Sequence, residues 1–419
     1  MITLLKSATI IDKSSPFHNQ RKDILITDGI ITAVENNIEH TEEYQIINLE
    51  DLHVSPGWFD TSVSFGEPGY EERETIINGL QVASKSGFTA VAVNPNTTPI
   101  IDHKSAIEFL IHKGSFSATK LFPIGALTQQ SKGHEMAELY DMQQSGAIAF
   151  YDYKKSIEHD NLLKVALLYA QNFDALILSF PKNMKIAGEG VAHEGVNATK
   201  LGLKGIPALA EEIQIARDLF LLEYTGGKLH IPTISTEKSV QLIREAKNKG
   251  LQVTCSVAIH NLILTDNELY GFNGNKKVSP PLRTQKDIDA LISGIKEGVV
   301  EIITSDHNPI DIENKKVEFS IAKDGSVGLE SAFGVLNSIL DLETIIACLN
   351  TNPRKIFGIE NTSVTVNQKA DLTLFNPNGK SVFTEKHILS TSKNSIFINT
   401  PIQGNTYGIY ANNQTVLNN

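Results

Sequence analysis

Eight short apolar runs with amphipathic stretches between them constrain this chain more than any other feature. They fall at 58–65, 89–94, 121–128, 147–152, 175–180, 228–235, 252–259 and 300–305. Several are β-branched and nearly continuous in apolar residues, as parallel strands covered on both faces must be. The stretches 71–86, 208–223, 236–249 and 284–297 carry apolar residues at three- and four-residue spacing. Pro207 stands at a first helical position, and Gly87 and Gly250 stand at helix ends. Eight strands with intervening helices over about 250 residues predict an α/β fold, a (β/α)8 TIM-like barrel over 56–358. An open doubly wound sheet is the competing architecture, but its glycine-rich first turn, G-x-G-x-x-G, is missing.

The two ends read differently. Residues 1–55 and 359–419 are strand and turn in character, with Asp23-Ile24-Leu25-Ile26 and Asp371-Leu372-Thr373-Leu374-Phe375 as alternating segments. Asp28-Gly29 and Asn412-Asn413 are hairpin signals. A small β-sandwich domain assembled from both termini is the simplest arrangement. The net charge of −11 argues against a nucleic acid or an anionic membrane as partner. Cys255 and Cys348 are the only cysteines, so neither a disulfide framework nor a thiolate metal site is expected. No stretch approaches roughly 18 consecutive apolar residues. Met1 to Ser14 has no signal-peptide pattern, and a cytoplasmic location is expected.

In such barrels the chemistry sits at the C-terminal ends of the strands. Those ends hold Ser62 and Ser64, Asn94 and Asn96, Thr128, Asp152, Ser179, Thr233, His260, and Asp306 with His307. This is a polar ring that suits a small polar ligand and makes a poor metal site. A catalytic zinc wants about three ligands drawn from His, Asp, Glu or Cys. The twelve histidines lie at least nine positions apart, so no H-x-H or H-E-x-x-H exists. Serine and threonine hydroxyls are weak zinc donors, and Asp152 and Asp306 alone would hold a hard ion loosely.

Around these ends the sequence resembles the long-chain dihydroorotases of the amidohydrolase superfamily. Pro56-Gly57-Trp58-Phe59-Asp60 and Glu67-Pro68-Gly69-Tyr70-Glu71 are similar to the family's P-G-x-x-D and E-P-G-x-E. Asn94-Pro95-Asn96-Thr97-Thr98-Pro99 and Gly146-Ala147-Ile148-Ala149-Phe150 with Asp152 follow its P-N-T-x-P and G-A-x-A-F-x-D-D. The helix 210–218, Pro280-Pro281-Leu282-Arg283, Thr304-Ser305-Asp306-His307-Asn308-Pro309 and Lys369-Ala370-Asp371-Leu372-Thr373 complete the set in order. The resemblance covers nearly the whole chain. It implies a two-zinc hydrolase that opens or closes the dihydroorotate ring in pyrimidine synthesis, with an aspartate moving the proton.

The departures fall on that chemistry. The family's H-x-H is Ser62-Val63-Ser64, the substrate-clamping arginine after it is Gly66, and the strand-five histidine is Ser179. H-I-x-H is His230-Ile231-Pro232-Thr233, and the asparagine before P-P-L-R is Ser279. The degenerate metal positions are therefore Ser62, Ser64, Asp152, Ser179, Thr233 and Asp306. No metal is expected there. Asp306 is left as a vestigial catalytic residue, with Asn96 and His307 as substrate-binding candidates. Each survivor also has a plain structural reading. Asp306 and His307 would bond each other and tie off strand eight, Asp152 would cap its loop, and Asn96 would serve its turn. Arg283 would make a surface or interhelix ion pair, and His134 and His260 would be ordinary polar positions.

The expectation is a non-catalytic dihydroorotase-like protein acting as a structural or regulatory partner. The resemblance implies aspartate transcarbamoylase as that partner and allows a homodimer. Two alternatives stand beside it. One is an active dihydroorotase with an atypical site, which alone requires zinc. The other is a sensor of a polar metabolite.

Overall fold

The computed structural model describes residues 2–418. The amino-terminal segment supplies β1 (Ile2–Ile10), β2 (Arg21–Thr27), β3 (Ile30–Glu35), β4 (Gln45–Ile47) and β5 (His53–Pro56). Barrel strands follow as β6 (Trp58–Val63), β7 (Phe88–Val93), β8 (Lys120–Gly125), β9 (Ala149–Phe150) and β10 (Leu176–Leu178). A two-stranded excursion, β11 (Ala192–His193) and β12 (Gly205–Ile206), precedes β13 (Lys228–Ile231), β14 (Val253–Ala258) and β15 (Ile302–Thr304). The chain closes with β16 (Leu372–Val382), β17 (Pro401–Ala411) and β18 (Gln414–Leu417).

Each of the eight apolar runs holds or overlaps one barrel strand, and β6 to β10 and β13 to β15 pair in parallel in that order. Along the strands, alternate residues enter two clusters. Phe59, Ala90, Ala92, Ile124, Leu176, Leu178 and Ile302 fill the barrel. Their neighbours Val91, Val93, Ile177 and Ile303 join the larger core with the helices. Helices Leu209–Thr225, Glu237–Asn248 and Gln285–Lys296 lie where the periodicity puts them. The first helix is Ile76–Lys85, shorter than the 71–86 pattern. Thr75 caps it by accepting from the Asn78 amide at 3.2 Å, and residues 66–73 are spent on turns.

The eighth strand returns to the first across a narrow seam. β6 meets the segment just beyond β15 through a bridge between Val63 and His307, with the Ser64 amide donating to the His307 carbonyl at 2.7 Å. Asp60, fully buried, braces that seam. Its carboxylate accepts from the Thr304 hydroxyl, from the Ser305 amide at 2.8 Å and from the Ser62 amide at 3.0 Å. The terminal strands form a second, eight-stranded sheet in the order β18-β17-β16-β5-β1-β2-β3, with β4 on β1. Both hairpin signals lie at its tight turns, with positive φ at Asp28 and Gly29 and at Asn412 and Asn413. Trp58 joins barrel to sheet, stacking on Phe333 at 5.1 Å and touching Phe375 at 5.6 Å. Buried Arg354 reinforces the joint, donating to the Gly57 carbonyl at 3.1 Å and pairing with Asp371 at 2.9 Å. Among the described residues no helix is long and apolar enough to cross a membrane.

Asp60→Ala strips an acceptor from two buried backbone amides, so it should cost about 3 kcal/mol of stability. Urea unfolding measures this, and a loss below about 1 kcal/mol would mean the seam closes without it.

Candidate functional site

The barrel mouth collects the strand-end residues as the sequence implies, and their side chains are committed in ways the sequence does not show. Ser62 and Ser64, at the end of β6, are buried and receive the Asn94 amide at 3.2 and 3.4 Å. Ser62 donates weakly to Asp306 at 3.5 Å. Asp152 faces back toward β8, where the Thr128 amide binds it at 3.0 Å and the Thr128 hydroxyl binds its other oxygen. It thus ties the loop before it, and not the one after. Ser179 turns outward to the helix Leu209–Thr225 and donates to Asp218 at 2.6 Å, whose charge Arg217 shares at 2.5 Å. Thr233 sits at φ +50° with its hydroxyl buried and unpartnered. His230 is held by Thr254 at 2.8 Å and Ser256 at 3.1 Å.

Asp306 and His307 are both buried but do not bond each other. The Asp306 carboxylate pairs with the Lys154 ammonium at 2.7 Å. Burial pushes its pKa above the ordinary carboxylate value, and Lys154 opposes that shift. His307 accepts the amides of Gly328 at 3.2 Å and Leu329 at 3.5 Å on Nδ1, which leaves the proton on a buried, unpartnered Nε2. Arg283 is 3% exposed and not at the surface. It donates to Ser235 at 3.1 Å and the Ile206 carbonyl at 2.9 Å, with Glu211 at 3.7 Å. Asn96 keeps an unpartnered Oδ1 beside a cleft of about 550 Å3 that Tyr70, Tyr153 and Lys155 also line. His134 lies against His159, ring to ring at 5.7 Å.

Lys154 is the residue that sequence reasoning missed. Its one signal is position, two residues beyond Asp152 on a strand-end loop. A lone lysine in a loop reads as a solvated charge, whereas here its side chain is 11% exposed and its backbone is left-handed at φ +53°.

Zinc does not fit this donor set. Two of the positions where the family's pattern has histidine are hydroxyls hydrogen-bonded to Asn94, a third is bonded to Asp218, and Asp152 is taken by Thr128. Asp306 already holds a cation. Among the described residues no group of three or more His, Cys, Asp or Glu is arranged to hold a metal ion. The arginine position is closed as well as changed. A Cβ on Gly66 would lie 1.8 Å from the Tyr70 carbonyl oxygen, so this backbone admits no side chain there.

A parallel barrel with a terminal β sheet, and polar side chains gathered at its C-terminal face, defines an amidohydrolase-type protein. Solved structures agree on the fold. L-hydantoinase from Arthrobacter aurescens superposes with a TM-score of 0.84 at 21% identity, covering 99% of this chain and 96% of that one. Dihydropyrimidinase from Brevibacillus agri gives 0.83 at 20%, covering 100% and 96%. The model of the family described as "Dihydro-orotase-like" matches residues 52–239. Dihydroorotase from Ruminiclostridium cellulolyticum is 40% identical over 404 residues, 95% of this chain and 94% of that protein. The one from Acetivibrio thermocellus is 37% identical over 421 residues, covering 99% and 98%. The chain belongs to the dihydroorotase family.

Lys154→Met leaves the Asp306 carboxylate buried without its partner and should cost about 3 kcal/mol near pH 8. Lys154→Met with Asp306→Asn should recover most of it. The single variant's deficit against the parent should shrink toward pH 5, because the raised Asp306 pKa lets a proton replace the ammonium. A pH-independent deficit in urea unfolding would count against the pairing.

Burial lowers His230 and His260 to about 3. Their unfolded value is about 6.5, so below that pH the unfolded chain binds more protons and stability falls, by about 1.4 kcal/mol per pH unit for each ring. His260→Asn should flatten the decline between pH 6.5 and 5, and an unchanged slope would show that His260 is not buried neutral.

Proposed function

We propose that this chain is a non-catalytic member of the dihydroorotase family that serves as a structural or regulatory partner in pyrimidine biosynthesis, with aspartate transcarbamoylase as the partner. The observation that carries the non-catalytic part is the Lys154–Asp306 pair. An ammonium sits on the carboxylate that would otherwise face a metal-bound water, and the other donor positions hold hydroxyls or are turned away. A buried aspartate occupied by lysine has no activated water from which to take a proton. Loss of the arginine adds to this, since no bidentate contact to a substrate carboxylate can form at Gly66.

An apolar face on the outside of the barrel supports the partner part. On the helix Leu209–Thr225, Leu209, Ile213, Phe220 and Tyr224 are exposed, Phe220 by 71% and Tyr224 by 79%. The neighbouring helix Asp160–Ala170 adds exposed Val165, Leu168 and Tyr169. Large apolar side chains grouped this way mark interaction surfaces more often than free ones.

Two measurements decide the matter. Zinc-supplemented protein should interconvert dihydroorotate and carbamoyl aspartate no faster than its Asp306→Ala variant. Activity that Asp306→Ala removes would restore the enzyme reading. Size exclusion of a mixture should show co-elution with aspartate transcarbamoylase that Phe220→Asp with Tyr224→Asp weakens at least tenfold. Elution of this chain alone as a dimer, lost in the same double variant, would assign the face to a second copy instead.

A further inference from the structure

The joint between barrel and terminal sheet borders a cavity at the opposite end of the barrel from the strand-end residues. About 290 Å3 in volume, it lies where β7, β8 and β9 begin, against the helix Asn352–Ile356 and the residues that lead into β16. Ala90, Phe122, Ile148 and Ile359 form an apolar wall, and all four belong to or pack against the cluster that fills the barrel. Arg354, Thr362 and Asp371 form a polar one. A second cavity of about 250 Å3 meets the first at Thr89, Lys120, Lys369 and Asp371.

Hydrogen bonding on the polar wall is incomplete. The Arg354 side chain is 5% exposed and donates to the carbonyls of Gly57 at 3.1 Å and Glu360 at 3.0 Å, to the Thr89 hydroxyl at 3.1 Å and to Asp371 at 2.9 Å. All four bonds leave from its terminal nitrogens. Its Nε–H is buried and finds no partner among the described residues. Asp371 meets the guanidinium with Oδ2 alone, and its buried Oδ1 is open too. Arginine and carboxylate frequently engage through two parallel bonds, and here they engage through one. The Thr362 hydroxyl, two residues beyond Glu360, is a third buried atom without a partner. Most buried polar atoms are satisfied, so three open ones on the wall of a single cavity call for an occupant.

The open atoms define what that occupant must offer. Nε–H only donates, a carboxylate oxygen only accepts, and a hydroxyl does either. Lys120, Lys369 and Glu360 are exposed at the rim, which leaves Arg354 and Asp371 as the charges within. A bound carboxylate would face Asp371, and a bound ammonium would face Arg354. A neutral carboxamide meets neither conflict, because its oxygen accepts from Nε–H while its N–H donates to Oδ1. The apolar wall then takes the body that carries the amide, in the manner of small-molecule pockets generally.

We propose that this cavity at the floor of the barrel is a second small-molecule site, for a neutral ligand bearing a carboxamide on a small apolar body. Arg354, Asp371 and Thr362 read the amide. The length of a barrel strand separates the site from Asp306 and His307, so it stands apart from the family's strand-end site and from the partner reading. A ligand there completes the joint between barrel and sheet, and its signature is therefore stabilisation of the whole chain.

Thermal unfolding of the full chain with millimolar benzamide, nicotinamide or isobutyramide tests it. The midpoint should rise with at least one of the three. It should not rise with N,N-dimethylbenzamide, which lacks the N–H, or with benzoate, which only accepts. Thr362→Val removes an unpartnered hydroxyl, so the free chain should unfold no lower than the parent. The same variant should weaken the apparent affinity about threefold or more. Ile148→Trp, which fills the apolar wall, should abolish the response, and a loss in Thr362→Val alone suffices where the tryptophan variant does not fold. A flat response to all three carboxamides would leave the cavity to water and overturn the proposal. A response shared by either control, or one that both variants leave intact, would overturn it equally.

Discussion

Asp60 reaches across the seam between β6 and β15, and the geometry of the mouth depends on that reach. A closed barrel needs its last strand to meet its first, yet β15 is only three residues long and the one bridge to β6 comes from His307 just beyond it. The Asp60 carboxylate substitutes for a longer ladder by taking the Thr304 hydroxyl and the Ser305 amide. Burial raises its pKa, and the hydrogen bonds from Thr304, Ser305 and Ser62 pull the other way. Ser62 and Asp306 are each within two residues of this contact, so the brace that closes the barrel also sets the spacing of these two strand-end side chains.

The same electrostatic logic recurs around the barrel. Asp152 leans on Thr128, Ser179 gives its hydrogen to Asp218, and Glu211 takes Ser235, Thr236 and Ser239 with Arg283 behind it. A carboxylate far from water needs a cation or several donors. In a metal enzyme of this architecture the ions would meet part of that need at the mouth. Here lysine meets it for Asp306, and the uncharged hydroxyls of Ser62 and Ser64, bonded to the Asn94 amide, add no further charge. These buried carboxylates are thus all met by groups of the chain itself.

Much of this was legible in the sequence. The eight strands, the two glycine- and asparagine-rich hairpin turns and the strand-end residues all follow from local patterning, because a buried parallel strand has few ways to be written. The substitutions at Ser62, Ser64, Ser179 and Thr233 were equally plain once the surrounding motifs were in register. What the sequence could not show was direction. Asp306 and His307 are adjacent in the chain, and the expectation that they bond each other fails because one points to Lys154 and the other to the amides at 328 and 329. Lys154 sits on a loop, where a lysine ordinarily means solvent, and only the fold reveals that the loop brings it inward. Arg283 likewise carries no mark of its burial in its own neighbourhood.

The closed loop at Gly66 has a bearing on substitution. Ser62, Ser64, Ser179 and Thr233 stand on backbone that already carries a side chain, so a histidine at any of them is a change of residue alone. An arginine at Gly66 is not, because the Tyr70 carbonyl already occupies the space its first side-chain atom would need. Any side chain there would require the 66–74 turn to rearrange first, which makes the position depend on the whole turn. At this position the backbone, and not only the residue, sets what a substitution can introduce.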